Sequence, residues 1–162
     1  MASGDTLCRL FPAGNEPPSS LYATFGLRNQ HPTLQFDDTT SWAAIWTDVM
    51  PQNYSNATGI TVRVTATAVA TTGTMGWTVE LERNDAATDL DADNFATPQT
   101  ITAATVPATS GDPLTLFVAI AKGAAMSSIV AGDQFRIRIK RDVANDTAVG
   151  NVEIMSVEIR ET

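Results

Sequence analysis

The alternation of apolar and polar residues is the feature that most constrains the fold of this chain. Apolar side chains occupy every second position in residues 60–66, and again in residues 75–81, 114–120 and 135–139. Successive side chains of a β-strand point to opposite faces, so each segment presents one apolar and one polar face. The pattern predicts a set of half-buried β-strands.

Turn-forming residues separate the candidate strands at the spacing of roughly 8–12 residues that is typical of sandwiches and barrels. Strong helix signals are scarce, and threonine, which favours strands, is spread through the chain. We therefore predict an all-β fold, an antiparallel two-sheet sandwich of about eight or nine strands with jelly-roll topology.

Two segments carry local predictions. Residues 58–70 and 74–83 read as strands joined by a short turn at residues 71–73, which predicts a β-hairpin. Residues 42–51 fit either a strand or an amphipathic helix, because the two tryptophans and the aliphatic residues match both spacings. Neighbouring strands and the proline at position 51 favour a strand.

The last segment of the chain changes phase. Val152 and Ile154 occupy one set of alternate positions, whereas Val157 and Ile159 occupy the other. A one-residue slip would turn every later side chain to the opposite face. A β-bulge near Met155 would restore all four apolar side chains to one face.

The 162 residues suit one domain. Prolines at positions 12, 17 and 18 keep the N-terminal stretch out of a helix and out of a central strand. We divide the chain into an extended N-terminal arm with the first strand, residues 1–20, and a single jelly-roll sandwich, residues 21–162.

Charge and cysteine content exclude several classes of function. Ten basic and eighteen acidic residues give a net charge of −8, which argues against nucleic-acid binding and against an anionic membrane surface. The single cysteine, Cys8, permits no intrachain disulfide. No basic stretch precedes an apolar run near the N-terminus, so we expect no signal peptide.

Residues with catalytic chemistry are few. His31 is the only histidine, and no nucleophile elbow or phosphate-binding loop is present. A dyad of Cys8 and His31 has no support from spacing, and a free cysteine usually belongs to the core. We expect no catalytic residues, no cofactor and no enzymatic activity.

An acidic run at residues 89–94 resembles the opening of a calcium-binding loop. Asp89, Asp91 and Asp93 alternate as the first ligands of such a loop do. The loop lacks glycine at its sixth position, and Thr100 stands where a bidentate glutamate is needed. A solvated turn is the favoured interpretation, with calcium binding as the alternative.

Aromatic residues between positions 42 and 54 form another candidate site. Trp42, Trp46 and Tyr54 lie close in sequence and could form a platform for a sugar ring. The favoured interpretation is that these residues fill the sandwich core or a subunit contact.

Short segments in fixed order resemble a family of small structural proteins of tailed bacteriophages. The matching segments are residues 1–6 (MASGDT), 15–18 (NEPP), 28–32 (RNQHP), 36–40 (FDDTT), 49–51 (VMP), 53–54 (NY), 132–136 (GDQFR), 141–142 (RD) and 157–161 (VEIRE). The resemblance implies a jelly-roll virion protein, either a head decoration (cement) protein, often a trimer, or a module of a head or tail fibre. It also implies assembly in the bacterial cytoplasm.

Our first hypothesis is a capsid decoration protein that binds the major capsid protein on the assembled head and stabilises it by mass action. The alternative is a receptor- or glycan-binding module of a fibre. A homo-oligomer, with a trimer favoured, is expected. The candidate interface residues lie on the arm and within residues 42–54: Leu10, Phe11, Pro17, Pro18, Trp42, Trp46 and Tyr54.

Overall fold

The computed structural model describes residues 3–162, which form ten β-strands and two single turns of 3-10 helix. The first five strands are β1 (Thr6–Leu10), β2 (Thr24–Arg28), β3 (His31–Phe36), β4 (Ala43–Val49) and β5 (Gly59–Ala68). The others are β6 (Thr74–Asn84), β7 (Gln99–Thr105), β8 (Leu114–Ala121), β9 (Gln134–Arg141) and β10 (Val152–Glu161). The 3-10 turns are Pro12–Gly14 and Ala124–Met126.

The strands form two antiparallel sheets. The larger sheet has the order β2-β3-β10-β5-β8, with β1 also paired to β10, and the smaller has the order β4-β9-β6-β7. The predicted fold class, an antiparallel two-sheet jelly-roll sandwich, is confirmed. Residues 3–162 contain ten strands, one more than the eight or nine predicted. The additional strand is β2, which pairs with β3 at the edge of the larger sheet.

The apolar faces of the alternating strands meet in one core. The inward side chains of β5, β6 and β9, including Val62, Val79 and Ile137, are fully buried. At the centre, the rings of Phe36 and Trp77 meet edge to face with centroids 4.8 Å apart. Burial of each large apolar side chain contributes roughly 1.5–3 kcal/mol, so this core supplies the main stabilisation.

The predicted bulge in the closing strand is confirmed. The pairing of β10 with β5 shifts register between Ile154 and Ser156. Val152, Ile154, Val157 and Ile159 are all fully buried. The extra residue therefore keeps both halves of β10 directed at the core.

The predicted hairpin between residues 58–70 and 74–83 is wrong. β5 belongs to the larger sheet and β6 to the smaller one, so residues 69–73 cross from one sheet to the other. The tight hairpin is instead β2–β3, whose turn residues Asn29 and Gln30 have φ of 45° and 69°. Positive φ at both positions is the geometry of a two-residue type I′ turn.

Residues 43–49 form a strand, as favoured over a helix. The free edge of this strand is covered by residues 11–16. The Glu16 N–H donates to the Ile45 carbonyl at 2.7 Å, and the Ile45 N–H donates to Asn15 Oδ1 at 3.0 Å. The Trp46 indole N–H donates to the Phe11 carbonyl at 2.9 Å. The prolines here allow one 3-10 turn with Pro12 at its start, where a missing N–H costs nothing.

The expected arm therefore contains a paired strand. β1 pairs with β10 and buries Cys8 and Leu10, whereas Met1 and Ala2 lie outside the described residues. The division of the chain at residue 20 stays a prediction. Among residues 3–162, no helix is long and apolar enough to cross a lipid bilayer.

Candidate functional site

The structure separates the predicted interface residues into two groups. Leu10, Trp46 and Tyr54 lie in the core cluster and are at most 6% exposed. Their side chains are therefore unavailable to a partner in this fold. The prediction that these three residues contact a partner is corrected accordingly. The remaining candidates are exposed or half-buried: Phe11, Pro17, Pro18 and Trp42.

Cys8 and His31 occupy different environments. Burial raises the pKa of the Cys8 thiol to about 12, with the nearby Asp48 carboxylate adding to the effect. A thiol with this pKa is almost entirely protonated near neutral pH, whereas nucleophilic attack requires the thiolate. His31 is exposed at the start of β3.

The acidic run at residues 89–94 is engaged in local bonds. The Asp91 N–H donates to Asp89 Oδ1 at 3.0 Å. Asp93 accepts from Arg136 at 2.9 Å and from Arg138 at 3.2 Å. Within residues 3–162, no group of three or more histidine, cysteine or acidic side chains converges as a metal site. The solvated turn stays a prediction, with calcium binding by this loop as its alternative.

The outer face of the smaller sheet carries a closed network of charges. Glu82 pairs with Arg136 at 2.8 Å, and Glu80 pairs with Arg138 at 2.5 Å and with Lys140 at 3.1 Å. Both glutamates are buried, at 1% and 5% exposure. Three cations on this face therefore meet three carboxylates, including the carboxylate from the acidic run described above.

An aromatic ring covers this network. The Arg138 guanidinium lies 3.9 Å from the centroid of Phe95, and the Arg136 guanidinium lies 5.0 Å from it. The Asn94 N–H also donates to Glu82 Oε1 at 2.6 Å. The loop between β6 and β7 thus folds over the charges and leaves this face little capacity to bind anything else.

The outer face of the larger sheet is open. Strand register places Arg9 of β1 beside Glu158 of β10, Glu158 beside Arg63 of β5, and Arg63 beside Phe117 of β8. Directly opposed side chains on one sheet face lie about 5 Å apart, so these four form a continuous row. Three intervals between neighbouring strands give the row a length of about 14 Å.

Two adjoining pockets border this row, and together we call them the arginine groove. Arg9, Arg63 and Arg160 supply its cations, and Phe11 and Phe117 stand at its ends. Its other lining residues are mainly small and polar, among them Thr65, Thr115 and Ser156 on one side and Ser3, Thr61 and Thr162 on the other. The two halves of the groove, with volumes of about 260 and 370 Å³, share Arg63 and Arg160.

Glu158 is the one carboxylate in the row. It accepts from Thr6 Oγ1 at 2.5 Å and from Arg160 at 2.8 Å, and it lies 3.4 Å from Arg63 and 3.8 Å from Arg9. Burial raises its pKa, but the bonds from Thr6 and Arg160 and the nearby positive charges outweigh burial and lower the pKa below its ordinary value. Glu158 is therefore ionised near neutral pH and neutralises part of the cationic charge.

Glu161 also borders the groove but faces away from it. Its position in β10 has the inward phase of Val157 and Ile159, and it is 3% exposed. Its carboxylate accepts bonds from the Ser55 N–H and hydroxyl. The charged side chains that face into the groove are thus three arginines and one glutamate.

Both exposed rings of the groove are available to a ligand. Phe117 is 65% exposed and Phe11 is 57% exposed. A groove with aromatic ends, arginine N–H donors and hydroxyl groups can pack against an apolar ring face and hydrogen-bond the polar groups around it.

Sequence reasoning missed this site. Arg63 and Phe117 lie in unrelated segments and meet only because β5 pairs with β8. Phe117 falls at an outward position of its strand, which was the one available signal. Phe11 is the predicted contact residue that lines the groove, whereas Trp42, Trp46 and Tyr54, considered as a sugar platform in the alternative to a core role, do not line it.

A second exposed surface lies at the edge of the larger sheet. Phe25 pairs with the buried Leu34 and so points to the inward side, yet Phe25 is 56% exposed. The described residues therefore leave this side of β2 largely uncovered at Phe25. Leu21, Tyr22 and Leu27 are also exposed here, and we call the four residues the edge patch.

The sheet order and strand register define a jelly-roll β-sandwich, and similar solved structures agree. No family model and no curated protein matches the chain. The xylan-binding module CBM15 superposes with a TM-score of 0.56 at 15% identity and covers 98% of both chains. The CBM22-1 xylan-binding domain of Paenibacillus barcinonensis Xyn10C superposes with a TM-score of 0.52 at 13% identity. That match covers 99% of this chain and 96% of the other. At these identities the likeness shows the fold.

Proposed function

We propose that this chain is a non-catalytic glycan-binding domain whose binding site is the arginine groove. The observation that carries the proposal is the pair of exposed phenylalanines, Phe11 and Phe117, at the ends of a groove lined by hydrogen-bonding side chains. Sugar rings offer apolar faces for aromatic packing and hydroxyl groups for polar contacts, which matches this lining. The same fold in two xylan-binding modules supports the proposal.

Titration with a panel of soluble polysaccharides, followed by calorimetry, tests this function. We expect at least one polysaccharide to bind, and Phe117→Ala to weaken that binding roughly five- to tenfold because one aromatic contact is lost. Leu90→Ala is the matched control, since Leu90 is 81% exposed in the β6–β7 loop and does not line the groove. Equal affinity of Phe117→Ala and the unmodified protein would contradict the groove as the binding site.

A second candidate function is the virion role, in which the chain is a decoration protein that binds a major capsid protein on the phage head. The edge patch favours it, with Leu21, Tyr22, Phe25 and Leu27 exposed by 54%, 45%, 56% and 62%. Monomeric proteins rarely expose large contiguous apolar patches without a partner, and four exposed apolar side chains within residues 21–27 are candidates for such a surface. In this function the patch forms the contact between copies of a homotrimer.

The oligomeric state tests the second candidate. Light scattering after size exclusion should give a trimer for the unmodified chain and a monomer for Phe25→Ser combined with Leu27→Ser. Val149→Ser is the control, since Val149 is exposed outside the patch. A monomer at all protein concentrations would remove the patch as a self-association surface. Deletion of the arm is a poor test, because residues 6–12 include β1.

A further inference from the structure

The balance of charges distinguishes the arginine groove from the other ion pairs among the described residues. Elsewhere each cation that forms a salt bridge has its own carboxylate: Arg28 with Glu153, Arg83 with Asp85 and Asp133, Arg141 with Asp146, and the three cations of the smaller sheet with three acids. In the groove, the salt bridges of three arginines within residues 3–162 all go to Glu158. The groove is thus locally positive on a protein of net charge −8.

The hydrogen-bonding capacity of the groove shows the same imbalance. Each guanidinium carries five N–H donors, whereas Glu158 offers two oxygens that also accept from Thr6. The side chains of Arg9, Arg63 and Arg160 are 67%, 33% and 34% exposed, so their remaining donors are accessible from the groove. Guanidinium groups bind carboxylates in a planar, two-bond geometry that neutral hydroxyl groups cannot match.

We infer that the arginine groove binds an acidic polysaccharide, with uronic acid carboxylates held by Arg63 and Arg160 and a sugar ring packed on Phe117. The inference rests on the proposed glycan-binding function and specifies its ligand class. The aromatic ends and the threonine and serine hydroxyls fit a sugar chain better than an acidic peptide, which lacks the repeated ring faces. The acidic remainder of the surface opposes a nucleic acid, whose binding depends on many phosphate contacts.

The test uses two polysaccharides that share a backbone and differ in whether their carboxyl groups are charged or methyl-esterified. Polygalacturonate and its fully methyl-esterified form share one backbone, but the ester lacks carboxylates. Calorimetry at low salt should show binding of polygalacturonate at least roughly tenfold tighter than binding of the ester, as expected for a charge-assisted bidentate pair. Added salt should weaken the binding of polygalacturonate more than that of the ester.

Variants locate the interaction. Arg63→Gln combined with Arg160→Gln should reduce affinity for polygalacturonate at least roughly tenfold and leave affinity for the ester within about twofold. Lys122→Gln removes an exposed positive charge outside the groove lining and should change neither affinity. Thermal unfolding of each variant confirms that the fold is retained, and Arg9→Gln is a milder second variant at an exposed position.

The outcomes distinguish failure of the acidic-ligand inference from failure of the proposed glycan-binding function. Equal binding of polygalacturonate and its ester would overturn the acidic ligand and leave the glycan-binding function standing. If neither these two nor any neutral polysaccharide binds, the proposed function fails and the inference fails with it. Equal binding of polyaspartate would show that the groove accepts any flexible polyanion, which would also overturn the inference. Loss of binding in Lys122→Gln equal to the loss in the arginine variant would place the effect outside the groove.

Discussion

The outer faces of the two sheets carry similar residues but differ in how their charges are paired and covered. Each face has arginines at outward positions of central strands, and each has a phenylalanine beside them. On the smaller sheet, Glu80 and Glu82 match the cations and Phe95 lies over Arg138 at 3.9 Å. On the larger sheet, one glutamate meets three arginines and the phenylalanine is 65% exposed.

The difference arises from a loop. The connection between β6 and β7 is long enough to return across its own sheet, where Asn94 and Phe95 contact the charges. No connection among residues 3–162 covers the row that contains Arg63 and Phe117, which stay open to solvent. Charges that are paired and covered contribute to the stability of the fold, whereas charges left open and unbalanced retain capacity for a ligand. Matched substitutions on the two faces test this contrast.

The largest effect is expected from Glu82→Gln on the smaller sheet. This substitution leaves Arg136 beside a neutral amide, with Asp93 as its remaining carboxylate partner, in a site where Glu82 is 1% exposed. Loss of one partner of a buried ion pair costs about 3–5 kcal/mol, and the partial exposure of Arg136 reduces our expectation to about 2–3 kcal/mol. Urea unfolding measures the change, with Glu158→Gln on the larger sheet expected to cost at most about 1 kcal/mol. Equal losses would show that the two faces are energetically alike.

The next effect compares the two phenylalanines. Phe95→Ala removes a ring that contacts two guanidinium groups and should cost about 1–2 kcal/mol of unfolding free energy. Phe117→Ala removes an exposed ring and should change stability by less than about 0.5 kcal/mol. Both variants undergo the same truncation, so chemical denaturation compares the environments directly. A larger loss for Phe117→Ala would mean that its ring supports the fold.

The same residues show which features of the fold could be predicted from the sequence. Alternation is local, because side-chain direction depends on position within one strand, and it therefore predicted the strands and the bulge near Met155. For residues 42–51 the pattern fitted both a strand and a helix, and the neighbouring strands and Pro51 favoured the strand that the structure has. The choice of partner strand is not local. The turn signals at residues 71–73 are the same in a hairpin and in a crossing between sheets, and the hairpin prediction failed for that reason.

The site was harder to predict than the fold for a related reason. Arg9, Arg63, Phe117 and Glu158 come from four strands, and only the strand order makes them neighbours. Aromatic content alone also could not separate Trp46, which is 2% exposed, from an accessible ring. Exposure is decided by which face of the sheet the rest of the chain covers.

The smallest effect is expected from acid on the larger sheet. Burial acts to raise the pKa of Glu158, but the bonds from Thr6 and Arg160 and the charges of Arg160 and Arg63 hold it below its ordinary value of 4.5. A carboxyl with a lowered pKa in the folded state stabilises the fold fully above its unfolded value, and the contribution is lost as pH falls through the folded pKa. The difference in unfolding free energy between the unmodified protein and Glu158→Gln should thus be at most about 1 kcal/mol at neutral pH and smaller near pH 3.

The same measurement in the Arg63→Gln background sharpens this prediction. If Arg63 supplies part of the stabilisation, the cost of Glu158→Gln at neutral pH should be smaller in that background, since one of the charges that favour the carboxylate is gone. A cost that is unchanged by Arg63→Gln and by acid would mean that Glu158 stabilises the fold through neutral contacts such as the Thr6 hydroxyl. In that case the ion pairs of Glu158 with the arginines would contribute little to the stability of the fold, although the carboxylate would still carry its negative charge beside them.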